Sequence, residues 1–109
     1  MIVVLFELRA NPGREQDYFD LAVALRAELE RIDGFIAVER FESLAEKGKF
    51  LSVSLWRDEQ AVEAWRLQAD HRCAQAQGQS AIFAEYRLRV AEIKREYRFH
   101  QGRREVIAR

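Results

Sequence analysis

Apolar and polar residues alternate from the first positions of the chain. Ile2, Val4, Phe6 and Leu8 share one side of an extended segment, while Val3, Leu5, Glu7 and Arg9 share the other. This predicts a strand over residues 2–9 whose first half is buried on both sides. Asn11-Pro12-Gly13 ends it, and Asn11 as N-cap with Pro12 at the first helical position predicts that a helix starts there. Tyr18, Leu21, Ala22, Leu25, Leu29 and Ile32 then recur at steps of three and four, the apolar stripe of a helix closed by Asp33-Gly34.

Residues 35–44 and 48–56 read as an antiparallel hairpin joined by Ala45-Glu46-Lys47-Gly48. In its second strand Leu51, Val53 and Leu55 share one face, and Phe50, Ser52, Ser54 and Trp56 share the other. Asp58 stands where the N-cap of a second helix belongs, with Ala61, Val62, Ala64, Trp65 and Ala69 following. A break near Asp70 is expected to start a further turn that carries His71 towards Gly78. Residues 80–83 connect to a final strand over residues 85–99. Its apolar phase switches near Ala91-Glu92, from Tyr86, Leu88 and Val90 to Ile93, Tyr97 and Phe99. A strand of ~15 residues far exceeds the usual five or six, so a bulge or pairing with two different sheets is expected. The Arg-rich residues 100–109 read as a frayed polar tail after a domain of residues 1–99.

The order strand, helix, strand, strand, helix, strand is that of a ferredoxin-like βαββαβ sandwich, an α+β fold with both helices on one sheet face. The other face is expected to carry Phe50 and Trp56, an apolar patch too large for a soluble monomer. A homodimer through this open sheet face follows, with the last strand reaching into the partner. At 109 residues the chain has length for one domain. Lys plus Arg (18) balance Asp plus Glu (18), so no net field recruits nucleic acid or an anionic membrane. Apolar runs fall short of the ~20 residues that span a bilayer, and the first residues lack a basic leader. Cys73 is the only cysteine, which excludes an internal disulfide and a multi-cysteine metal site and suits a reducing cytoplasm.

Five stretches stand in a telling order and spacing: the first strand with Asn11-Pro12-Gly13, Leu55-Trp56-Arg57-Asp58, Ala64-Trp65, Asp70-His71-Arg72 and Tyr86-Arg87-Leu88-Arg89-Val90. Together they make nearly the whole chain resemble the antibiotic biosynthesis monooxygenase domain family, a group within the dimeric α+β barrel proteins. The family includes cofactor-free quinol or anthrone oxygenases, haem degraders and proteins without an assigned reaction. The resemblance therefore implies a dimeric α/β barrel and a monooxygenase that uses no metal or flavin cofactor and acts on a small aromatic, quinol- or anthrone-like substrate. Two alternatives stay open, a non-catalytic barrel that binds a small ligand or merely packs shut, and haem breakdown.

Without flavin or metal the substrate must itself be the reductant, and a phenol or anthrone passes an electron to dioxygen only after losing a proton. Such a site needs a base, a way to hold the anion, and an apolar cavity. His71 is the candidate base, because its unperturbed pKa of ~6.5 lies near working pH. Trp65 joins it as the cavity wall. Trp56, Ser52, Ser54, Phe83, Arg87 and Arg89 are candidate substrate contacts, the serines for a quinol oxygen and the arginines for an enolate. Each has an ordinary role too: surface histidine, core tryptophan, locally bonded serine, solvated or interface arginine, and for Cys73 a small buried hydrophobe. Two departures from the family stand out. Its members commonly place an asparagine in the pocket, whereas the only asparagine here is Asn11 and Ala61 occupies the position one turn before Trp65. In the haem degraders the helical histidine falls near Gln75 of this sequence rather than at His71.

Overall fold

A computed structural model describes residues 1–75 and 82–108, with residues 69–75 and 108 described by their backbone alone. The chain is an α+β protein built on strands β1 (Ile2–Ala10), β2 (Phe35–Glu42), β3 (Lys49–Trp56) and β4 (Phe83–Glu92) and helices α1 (Glu15–Leu29) and α2 (Glu59–Gln75). The strands form one antiparallel sheet in the order β2-β3-β1-β4, the ferredoxin-like arrangement. Ile2, Val4 and Leu8 of β1 point to the helices. They pack in two adjoining clusters, one with Leu29, Trp56, Ala61 and Val62, the other with Tyr18, Ala22 and Phe50.

The start of α1 differs from the sequence expectation. Asn11 does not cap it: residues 11–14 form a turn closed by the Arg14 N–H on the Asn11 carbonyl at 2.9 Å, with Gly13 at φ 78°. Proline second and a left-handed glycine third are what a type II turn requires, so the same residues that announce a helix here delay it to Glu15. Asp58 does cap α2, its Oδ1 accepting from the Ala61 N–H at 2.9 Å. Helix α2 then runs unbroken from Glu59 to Gln75, so the expected break near Asp70 is absent.

Phe50 and Trp56, expected on the open face, lie on the opposite one, 8% and 0% exposed beneath the helices. Alternation separates the two residue sets of a strand, but parity alone does not say which face the helices cover. Half-buried Val3, Leu5, Leu51, Val53 and Leu55 make up the open face instead. Towards one end it becomes charged, where Lys49 Nζ stands 3.3 Å from Glu7 and Arg9 bridges Glu46 and Glu85.

The overlong last strand is divided between two sheets. After β4 ends at Glu92, β5 (Glu96–His100) pairs with β6 (Arg103–Ala108) in a two-stranded sheet of their own. Residues 100–108 therefore do not form a frayed tail, and Arg109 lies outside the described residues. Gln101 and Gly102 have φ 49° and 79°, the two left-handed positions of a type I′ hairpin turn. Tyr97, Phe99, Val106 and Ile107 on this arm remain exposed.

An ion cluster ties the two helix–strand corners together. Arg57 forks onto Asp33 (3.2 and 3.0 Å) and also bonds Asp58 at 3.1 Å, while its backbone N–H donates to the Gly34 carbonyl at 2.7 Å. The Arg57 fork holds the Asp33 carboxyl below the ordinary carboxylate range. The Ala61 N–H, and then Arg57, do the same for Asp58. A carboxyl with a depressed folded-state pKa contributes stability that is present above its unfolded pKa and lost as pH falls through the folded value. The urea midpoint of the wild type is thus expected to fall between about pH 7 and pH 3, and Asp58→Asn, which still caps, to show a shallower fall. Equal slopes would assign the acid sensitivity to other carboxylates.

Candidate active site

Between the two helices and the sheet lies a cavity of about 330 Å³. Val4 and Phe6 of β1, Val38 and Arg40 of β2, Ser52 and Ser54 of β3 and Leu88 of β4 form its floor. Tyr18, Leu21, Ala22 and Leu25 of α1 make one wall, and Trp65, Arg66 and Gln68 of α2 the other, with Phe83 and Tyr86 closing one end. Its surface is mainly carbon, interrupted by a few polar atoms, as small-molecule sites usually are.

The aromatic rings of this region touch in edge-to-face and tilted arrangements. Phe6 meets Phe83 at 5.8 Å and Tyr86 at 5.5 Å between centroids, and Tyr18 meets Phe83 at 6.1 Å. Trp56 is not part of the lining. Fully buried, it backs the cavity, with its ring 5.9 Å from Trp65 and its Nε1 donating to Ser54 Oγ at 2.9 Å. That bond occupies an acceptor lone pair of Ser54 and leaves the hydroxyl hydrogen to donate.

Of the residues singled out from the sequence, Trp65, Ser52, Ser54 and Phe83 come together at the cavity, with Trp56 directly behind. Arg87 and Arg89 do not. They alternate with the lining residues Tyr86 and Leu88 and therefore project from the open face, where Arg89 approaches Glu7 at 3.9 Å and Arg87 lies opposite Glu7 in the ladder. His71 belongs to the last turns of α2, and its side chain, like that of Cys73, lies outside the described residues. Six residues along an unbroken helix place it about 120° around the axis from Trp65. Among the described residues, no group of His, Cys, Asp and Glu side chains is arranged to hold a metal.

Two lining residues were missed by sequence reasoning. Tyr18 is 4% exposed and its Oη makes no hydrogen bond of good geometry; the buried Nε of Arg40 likewise makes none. Burial pushes the Tyr18 phenol up, and the positive charge of Arg40, with a weak hydrogen bond from it, partly opposes that shift. A signal for Arg40 did exist. The hairpin register sets Val38 opposite Ser54 and Arg40 opposite Ser52, which puts a cation on the same sheet face as the two serines and Trp56. Tyr18 offered none, since it fits the apolar stripe of α1 as core.

A model of the antibiotic biosynthesis monooxygenase family matches residues 1–77. The jasmonate monooxygenase ABM of Pyricularia oryzae is 39% identical over 104 residues, which are 95% of this chain and 48% of that protein. An uncharacterized Bacillus subtilis protein, YqjZ, is 30% identical over 69 residues, 63% of this chain and 59% of its own length. The chain thus spans about half the length of these relatives. Among solved structures, protein SO0527 of Shewanella oneidensis shares the fold with a TM-score of 0.72 at 16% identity, covering 98% of this chain and 92% of that one. With its first 77 residues matched by the family model and 95% of its length aligned to a 39%-identical relative, the chain belongs to the antibiotic biosynthesis monooxygenase family.

Proposed function

We propose that the chain is a monooxygenase that binds a small aromatic, quinol- or anthrone-like substrate in the cavity between α1, α2 and the sheet, and oxidises it without metal or flavin. The observation that carries this reading is the cavity itself: aromatic and aliphatic walls with room for a flat ring, and Ser52, Ser54 and Arg40 on its floor to hold an oxygen atom. Loss of a proton makes the bound phenol or anthrone electron-rich. One electron then passes to dioxygen, the two radicals combine at carbon, and loss of water leaves a carbonyl. For an anthrone the CH₂ becomes C=O, one oxygen atom enters the product and the other leaves as water, so the substrate supplies every electron. Trp65 and Phe83 flank the ring, and His71 is the base that takes the proton.

The test is oxygen uptake by protein freed of metal and flavin, against a panel of quinols and anthrones, with one labelled atom from ¹⁸O₂ in the product. Activity is expected to fall about 10²-fold or more in His71→Ala, the range typical of a lost general base. An unchanged rate in that variant would remove His71 from the mechanism, and no uptake with any substrate would remove the reaction. The 39% identity to a jasmonate monooxygenase favours a second substrate class. Jasmonate therefore belongs in the panel, with an added two-electron donor, because a saturated C–H bond does not give up electrons as a phenolate does.

The working unit in this reading is a cytoplasmic homodimer. The apolar strip of Val3, Leu5, Val53 and Leu55 on the open face, together with the exposed Tyr97, Phe99, Val106 and Ile107 of the β5–β6 arm, is the surface that a second copy covers. A lone hairpin is marginal in water, so an arm laid on a partner gains what it lacks alone, and Arg87 and Arg89 become rim charges. Sedimentation equilibrium at micromolar concentration is expected to show twice the 12.8 kDa chain mass, and Val53→Asp to shift it towards the single chain. A 12.8 kDa wild-type species would remove the dimer.

A further inference from the structure

We infer that Arg40 and Tyr18 form an anchor for one anionic oxygen group of the ligand, a carboxylate or a phenolate, at the α1–β2 side of the cavity. The inference rests on the cavity being the substrate site. It goes further by assigning the ligand a charge and naming the two residues that read it.

Three observations carry it. Arg40 Nε is buried without a partner, and its Nη2 reaches only the Ala22 carbonyl at 3.5 Å, the outer limit of a hydrogen bond. Among the described residues no carboxylate pairs with this guanidinium, whereas Arg9, Arg57 and Arg66 each have one. The other charged lining residues, Glu28 and Arg66, carry interactions of their own, Arg66 with Glu63 at 2.5 Å. Finally, Tyr18 Oη, with its residue only 4% exposed, makes no hydrogen bond of good geometry and stands beside the same guanidinium, whose charge and weak hydrogen bond both act on the phenol.

Buried polar groups are nearly always well bonded, so two neighbouring donors left under-satisfied beside one cavity need an explanation. A half-buried cation without a counter-charge is the costlier of the two, and a ligand that brings the missing negative charge resolves both. The Nε–H of a guanidinium and the adjacent Nη2–H point the same way, the geometry that receives both oxygens of a carboxylate, and the phenol O–H of Tyr18 supplies a further donor. Neighbouring walls of carbon lower the local dielectric and strengthen the attraction. A phenolate meets the same donors through its single oxygen, which would lower the pKa of a bound phenol.

Isothermal titration with 2-naphthoate and its neutral counterpart 2-naphthalenemethanol tests the anchor directly, with no turnover required. The wild type is expected to bind the anion about tenfold or more tightly than the alcohol. Arg40→Met should abolish that preference and leave the alcohol's affinity within about threefold, while Arg40→Lys, which keeps the charge but not the fork, retains part of it. Tyr18→Phe should reduce the preference about threefold and melt close to wild type, because the hydroxyl removed makes no hydrogen bond of good geometry. A third arm adds 2-naphthol and reads the absorption band of its anion: appearance of the band below the free compound's pKa identifies a phenolate site, and its absence with naphthoate still preferred identifies a carboxylate site. Equal affinity for naphthoate and the alcohol in wild type, equal weakening of both by Arg40→Met, a preference that survives it, or no binding of any compound would each overturn the anchor. The oxygen-uptake assay judges the reaction separately, so preference without turnover keeps the anchor and removes the proposed chemistry.

Discussion

Trp56→Ala should lower the free energy of unfolding by about 3–5 kcal/mol, the range for removing a large aromatic from a packed core. The indole is fully buried and contacts the cluster of Ile2, Val4, Leu29, Ala61 and Val62, which joins β1, α1 and α2. Its ring meets Phe35 at 5.3 Å and Trp65 at 5.9 Å, so its loss unsupports both neighbours. Removing Nε1 also strips buried Ser54 of the bond at 2.9 Å that orients its hydroxyl. Against a total of about 5–15 kcal/mol for a domain, such a loss brings the protein close to unfolding. Urea denaturation is the measurement, with Trp56→Phe as the milder companion. A loss below about 1 kcal/mol would mean that Trp56 is not the keystone of this core, since values that small belong to surface positions.

The second large effect is expected at Gly34→Ala. Gly34 adopts φ 94°, a conformation that side chains rarely take, and an added Cβ would stand 2.6 Å from the Cβ of Ala61. The left-handed backbone costs about 1–2 kcal/mol for an L-residue. Overpacking adds about 1–3 kcal/mol, so a loss of roughly 2–4 kcal/mol follows. The corner has no room to relax, because the Gly34 carbonyl accepts the Arg57 N–H at 2.7 Å and the Arg57 guanidinium would lie 3.5 Å from the new methyl carbon. Combining the change with Ala61→Gly should recover the steric part and leave the conformational part, a positive coupling in a double-mutant cycle. Strict additivity of the two variants would show that the close approach to Ala61 is not the cause.

The elements of the sheet were legible because each carries a local signal. Alternation marks β1 and β3, Gly48 helps close the hairpin between β2 and β3, and Asp58 starts α2 where a capping residue should. Local signals failed where two outcomes share one signature. Asn11-Pro12-Gly13 serves a helix start or a type II turn equally well, and the turn prevailed. At Gln101-Gly102 no strong hairpin dipeptide stands out, so the β5–β6 arm passed for a tail. The site was only half legible. Trp65, Ser52 and Ser54 drew attention as unusual residues in regular elements, while Tyr18 was hidden by fitting the apolar stripe and Arg40 by looking like any strand arginine.

Residue order alone dictated the periodicities, and with them the succession of strands and helices and the two residue sets on each strand, because backbone geometry repeats at 2 and about 3.6 residues whatever surrounds it. It also pointed to the family. Which set faces the helices was settled by packing across the sheet: Ile2, Val4 and Leu8 share a side with Phe50 and Trp56, and the helices cover that side. The same choice sent Arg87 and Arg89 away from the cavity and brought Arg40 and Tyr18 into it. Residues more than twenty positions apart meet there through strand register and helix docking, and the unpaired charge they create exists only once the chain has folded around it.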